Sequence, residues 1–238
     1  MRQHNRSGGR ALKREVRRLL EERSLDGALA ELLRLPARQV VNPLISFFCS
    51  TDERLKWRAV TAVGAVVAQL FEHSPESARV VMRRLMWSLN DESGGIGWGA
   101  PEAMAEIMAR SRPLAKEFSC LLISYLDPEG NYLEHESLQR GALWAAARLS
   151  RAHPDLMAPA ARFLPPYLQS GDPVHRGLAA RTAAALADRR LAPLLRSLVD
   201  DAEELSLYCP DGRLQTVSVA ELAHEALDRL QSPLSPGL

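Results

Sequence analysis

With 238 residues, 46% hydrophobic and 25% charged, the chain is long enough for one large domain or an array of small repeats. Its formal net charge of +1 argues against a dedicated nucleic-acid binder. No apolar run reaches the roughly 18 residues that a transmembrane helix needs.

Three cysteines, Cys49, Cys120 and Cys209, lie far apart with no CxxC spacing. That pattern argues against a disulfide framework and a structural zinc site, and it fits a reduced, cytoplasmic compartment. Residues 1–23 carry eight basic and three acidic side chains, and no apolar h-region follows them. A secretory signal is therefore not expected. Residues 2–23 are the one stretch basic enough to touch nucleic acid.

Alanine and leucine dominate and aromatics make up only 5%, a composition that favours helices. Residues 1–10 read as a flexible polar tail, 11–232 as a single helical domain and 233–238 as a second tail. From Ala11 the positions Leu12, Val16, Leu19 and Leu20 recur at helical spacing. Asp26 is placed to cap a second helix that runs to Leu35, before Pro36. Five helix pairs follow. The first helices are expected over Ala37–Cys49, Pro75–Leu89, Pro113–Leu126, Pro154–Gln169 and Arg190–Leu198, with kinks or breaks at Pro43, Pro165, Pro166 and Pro193. The second helices are expected over Glu53–Phe71, Trp98–Ala109, Glu134–Arg151, Pro173–Ala187 and Ser218–Gln231. Short alternating runs on either side of Pro210-Asp211-Gly212 predict a small β-hairpin near the C-terminus. Such an insertion suits capping of the last pair, or extension of a binding face.

Aligning the second helices places Trp57, Trp98, Arg140, Arg176 and Ala220 in one column, at intervals of 41, 42, 36 and 44 residues. A helix pair of that length is the period of HEAT and armadillo arrays. Asp172-Pro173-Val174-His175-Arg176 before an alanine-rich helix resembles the turn and second helix of a HEAT repeat. Asp52 followed by Trp57-Arg58-Ala59-Val60 is a looser match. The resemblance implies an all-α fold: an α-α superhelix, a HEAT-like solenoid of about five helical pairs. The stretch Asn90–Glu102 also resembles small bacterial HEAT-repeat proteins that share this NDESGGxGWGxPE loop.

In HEAT arrays the second helices line the concave face, so the resemblance implies a protein or peptide partner there. The column and its neighbours four residues later nominate Trp57, Trp98, Glu102, Arg140, Trp144 and Arg176. For the two arginines, pairing with turn aspartates such as Asp172 is the competing reading. The loop adds Asn90, Asp91, Glu92, Gly94 and Gly95. Glycines before a helix suit a nest for an anion, whereas the carboxylates suit a hard cation or a basic group on a partner. A purely structural loop is the third reading.

No catalytic residue, metal site or cofactor emerges. Deoxyhypusine hydroxylase, a HEAT-repeat enzyme, holds two irons through four His-Glu pairs. Here only His135-Glu136 and His224-Glu225 occur, out of register with the column. The leading expectation is a cytoplasmic scaffold without catalysis. The alternative is a HEAT-type enzyme or accessory, bilin-lyase-like or hydroxylase-like, with a small-ligand site at Asn90–Glu102.

Overall fold

The computed structural model describes residues 4–22, 24–89, 97–209 and 211–231, with backbone alone at 4–8. It is an all-α helical repeat with a two-stranded hairpin between its last helices. No helix among the described residues is long and apolar enough to cross a membrane. The chain forms two compact units, Met1–Leu114 with Tyr208–Arg213, and Ala115–Leu207 with Leu214–Leu238.

In the first unit, α1 (His4–Leu20) begins seven residues before the Ala11 start read from periodicity. Helix α2 (Leu25–Leu32) is capped by Ser24, whose hydroxyl accepts from the Gly27 N–H at 3.1 Å. Asp26 instead sits in the first turn, where its charge favours the helix N-terminus. Helix α3 (Ala37–Ile45) ends two residues after its internal Pro43, shorter than the expected run to Cys49. Helix α4 (Glu53–His73) starts at an Asp52 cap that accepts from the Leu55 N–H at 3.2 Å. Helix α5 (Pro75–Leu89) follows after Ser74, and α6 (Ala100–Arg110) completes this unit.

Helix α6 starts two residues after the expected Trp98. Gly99 precedes it in the left-handed region, at φ 72°, which only glycine adopts without strain. Helices α4 and α6 pack against each other around Gly64. A Cβ added there would lie 2.7 Å from Glu106 Cβ and 2.9 Å from its carbonyl carbon. Around this contact, Val63, Val67, Ala103, Met104 and Ile107 are fully buried.

Helix α7 (Arg112–Ser124) contains the boundary between the units. In the second unit, α8 (Glu136–Ala152) and α11 (Pro173–Leu186) pack together, as do α11 and α13 (Val219–Gln231). The run expected as one helix from Pro154 to Gln169 is three pieces. They are α9 (Pro154–Met157), a 3-10 stretch (Ala158–Phe163) and α10 (Leu164–Leu168), with Pro159, Pro165 and Pro166 setting the interruptions. A 3-10 turn (Arg189–Leu191) likewise precedes α12 (Ala192–Arg196). The alanines Ala145, Ala146, Ala179, Ala180, Ala183, Ala223 and Ala226 are almost entirely buried in these helix contacts.

Strands β1 (Glu204–Tyr208) and β2 (Leu214–Ser218) form the expected hairpin. Its tip groups with the first unit, where a Cβ on Gly212 would meet Leu25 Cδ2 at 2.7 Å. Capping of the last helix pair does not account for that contact.

The α4–α6 contact predicts that Gly64→Ala lowers stability by about 1–3 kcal/mol through overpacking, despite its better helix propensity. Gly27→Ala meets only ordinary 3.5 Å contacts with Ser24 and should gain up to about 1 kcal/mol. Urea-unfolding midpoints of the two variants check both signs.

Candidate functional site

Helix α4 and the end of β1 place four side chains together in the first unit. The Trp57 and Tyr208 rings stack with centroids 5.0 Å apart and an interplanar angle of 6°. Trp57 is half-buried, and Lys56 Nζ lies 5.4 Å from its ring centroid. Thr61, one turn later and buried, donates to the Trp57 carbonyl at 3.1 Å and lies 3.2 Å from the Tyr208 hydroxyl. A threonine hydroxyl has one proton, so with that bond made Tyr208 is the donor to Thr61. Burial pushes the Tyr208 phenol up, while Thr61, Arg58 and Arg110 pull the other way. The stack is therefore a neutral phenol on an indole, with guanidinium groups close by.

In the same unit, α6 carries two buried carboxyls, Glu102 and Glu106. Glu106 pairs with Arg110 one turn on, and Arg110 also donates to the Glu106 carbonyl at 3.1 Å. Glu102 is only 5% exposed, and its Oε2 is buried with no hydrogen-bond partner among the described residues. Burial pushes its carboxyl up, against the pull of Lys56 and of its own backbone N–H. A buried carboxyl so placed is held neutral more readily than any exposed glutamate.

The column's remaining members divide sharply. Trp98 is half-buried but stands in the turn before Gly99, so it does not share a helical face with Glu102. Trp144 is 8% exposed and belongs to the core of the second unit. Arg140 donates from Nε to Asp172 at 2.8 Å and also pairs with Glu136. Arg176 donates from Nε to Asp201 at 2.7 Å and from Nη1 to the Ser170 carbonyl at 2.8 Å. Both arginines thus join one repeat to the turn of the next. Arg176 reaches Asp201 rather than Asp172, which serves Arg140. His135 caps α8 by accepting from the Ser137 N–H. Among the described residues no three His, Cys, Asp or Glu side chains gather as a metal would require. Asn90, Asp91, Glu92, Gly94 and Gly95 lie outside the described residues.

Sequence reading missed Tyr208, Lys56, Glu106 and Arg110, whereas Thr61 is the neighbour four residues after Trp57 on the face read from the sequence. Tyr208 meets Thr61 across 147 positions, a separation with no local signature. Glu106 and Arg110 did carry one, since a Glu-to-Arg pair four apart on a helix is a standard pairing.

No protein-family model matches the chain. An 84-residue stretch is 36% identical to an uncharacterized protein of Archaeoglobus fulgidus, spanning 35% of this chain and 43% of that relative's length. Among solved structures, the chain is similar to a designed armadillo repeat protein in complex with the peptide (KR)4. The TM-score is 0.52 at 18% identity, covering 91% of this chain and 98% of that one. A second engineered protein also gives 0.52 at 18% identity, covering 93% of this chain and 96% of that one. Computationally designed armadillo repeat proteins for modular peptide recognition give 0.50 at 19%, covering 91% and 99%. The fold is therefore that of an armadillo-like helical repeat. At these identities the likeness speaks to the fold alone.

Two stability measurements follow from the charges. Asp201 is held below the usual carboxylate range mainly by the Arg176 bond, with burial opposing. The pair's contribution is then full above the ordinary aspartate pKa of about 3.9 and is lost as pH falls through the lowered value. Arg176→Met should cost about 2 kcal/mol at neutral pH, a difference from wild type that shrinks in the acid limb. Glu102 has the opposite sign, because its folded pKa is raised. Glu102→Gln should raise the melting temperature at neutral pH, with the gain fading below about pH 4.3. Melting curves from neutral pH downward read both.

Proposed function

We propose that this repeat scaffold binds a protein or peptide partner through the surface on which Trp57, Lys56, Tyr208 and Glu102 gather. In arrays of this kind the second helices form the concave face, and the reading places the partner there, with no catalysis by the scaffold itself. The Trp57–Tyr208 stack carries it. A half-buried indole pinned flat by a phenol has lost its rotamer freedom before any partner arrives, which is what a binding anchor needs. Lys56 supplies a charged, adaptable neighbour at the edge of the indole. Armadillo/HEAT-like repeats commonly mediate protein or peptide binding, and one structural neighbour was solved with a peptide. Arg140, Arg176 and Trp144, which the sequence nominated beside these residues, are assigned to the scaffold.

Selection from a displayed library of random peptides tests the reading. Wild-type protein should enrich defined sequences. Trp57→Ala should weaken their binding by about 2 kcal/mol, roughly thirtyfold, while the protein stays folded. Equal binding by the Trp57→Ala variant, or no enrichment by the wild type, would contradict it.

A further inference from the structure

The second unit holds a separate cavity of about 240 Å³ that the Trp57 surface does not involve. Helix α8 contributes Ser150 and Arg151, α11 contributes Arg181, and α13 contributes Glu225 and Arg229, over a floor of alanine side chains. Three successive second helices therefore each bring one guanidinium to the same opening. Arg151 and Arg229 are exposed, and neither holds an ion pair among the described residues. In this they differ from Arg140 and Arg176, whose charges are already matched by aspartates. Ser150 is fully buried in the lining, and its Oγ has no hydrogen-bond partner among the described residues. An unsatisfied buried hydroxyl is costly to keep, and this one lies in the lining of the cavity.

We infer that this cavity receives the carboxylate of an aspartate or glutamate in an acidic segment of a partner protein. The guanidinium fork matches a planar carboxylate, and the Ser150 hydroxyl, free to rotate about one bond, adds a donor. The alanine floor suits the short apolar stem of such a side chain. The volume lies below the roughly 300–1,000 Å³ of sites that enclose a whole small molecule, and it fits a single side chain. Nucleic acid fits less well: no aromatic side chain lines the cavity for a base to stack on.

The inference rests on the partner-binding reading but uses different residues, so the two fail separately. Fluorescence anisotropy of the full chain with a labelled peptide of alternating glutamate and alanine is the test. The peptide should bind, and its glutamine counterpart should not. Arg151→Ala and Arg229→Ala should each weaken binding about tenfold. Glu225→Gln should tighten it two- to threefold, roughly the effect of removing one rim charge. Ser150→Ala should weaken binding while leaving the melting temperature unchanged or higher. Arginine variants that bind like wild type would overturn the inference, as would equal affinity for the glutamine peptide. So would displacement of the peptide by inorganic phosphate or by a single-stranded oligonucleotide at matched concentration. Library binding unchanged in Trp57→Ala, with arginine-dependent binding of the acidic peptide, would sink only the first reading; Trp57-dependent library binding with no binding of the acidic peptide would sink only this one.

Discussion

Close approach of the second helices is the constraint on which the rest depends. A single helix pair cannot bury its apolar face, so each repeat must lie tightly on the next. In the first unit this comes down to Gly64, where the backbone of α4 meets Glu106 at a distance that excludes even a methyl group. In the second unit the buried alanines of α8, α11 and α13 play that part, and Gly177 leaves room for the Leu205 and Leu222 side chains. Small side chains thus set the spacing between these helices, and leucine, valine and methionine side chains fill the rest of the core.

Charge is then sorted into two populations. Arg140 and Arg176 join successive repeats through Asp172 and Asp201, and Asp201 together with Arg176 is largely withdrawn from water. These pairs fix the stacking register more than they add stability, because desolvation offsets much of their attraction. Other polar groups remain unmatched. Glu102 is buried with a raised pKa, and Ser150 is buried with a hydroxyl that bonds to nothing described. Glu102 lies in the unit that carries the aromatic stack, and Ser150 lies in the lining of the basic opening.

The fold was legible because its punctuation is local. Pro75, Pro173 and the aspartates at 52 and 172 mark helix starts on their own, and Pro210-Asp211-Gly212 marks the hairpin. The misplaced boundaries share one cause: competing signals within a turn. Ser24 outcompeted Asp26 as a cap, and Gly99 delayed α6 past Trp98. The site was legible only in part. Trp57 and Glu102 stood in the aligned columns, but so did Trp144, which the alanine-rich packing of α8 buries. Tyr208 was not legible. The hairpin that carries it was clear, yet the side chain it would meet is set by tertiary packing alone. The arginines of the column were read correctly as a type and ambiguously as a role, since a repeat pairs or presents an arginine with the same residue at the same spacing.

The central claim is that a partner engages the α4–α6 surface of a preformed scaffold. Hydrogen–deuterium exchange, on the full chain alone and with a library-selected peptide, tests it most directly. The account predicts new protection confined to the first half of α4, the start of α6 and the residues around Tyr208, with the alanine-packed helices unchanged. Protection spread over the helix cores, or absent from these three segments while the peptide is bound, would contradict it.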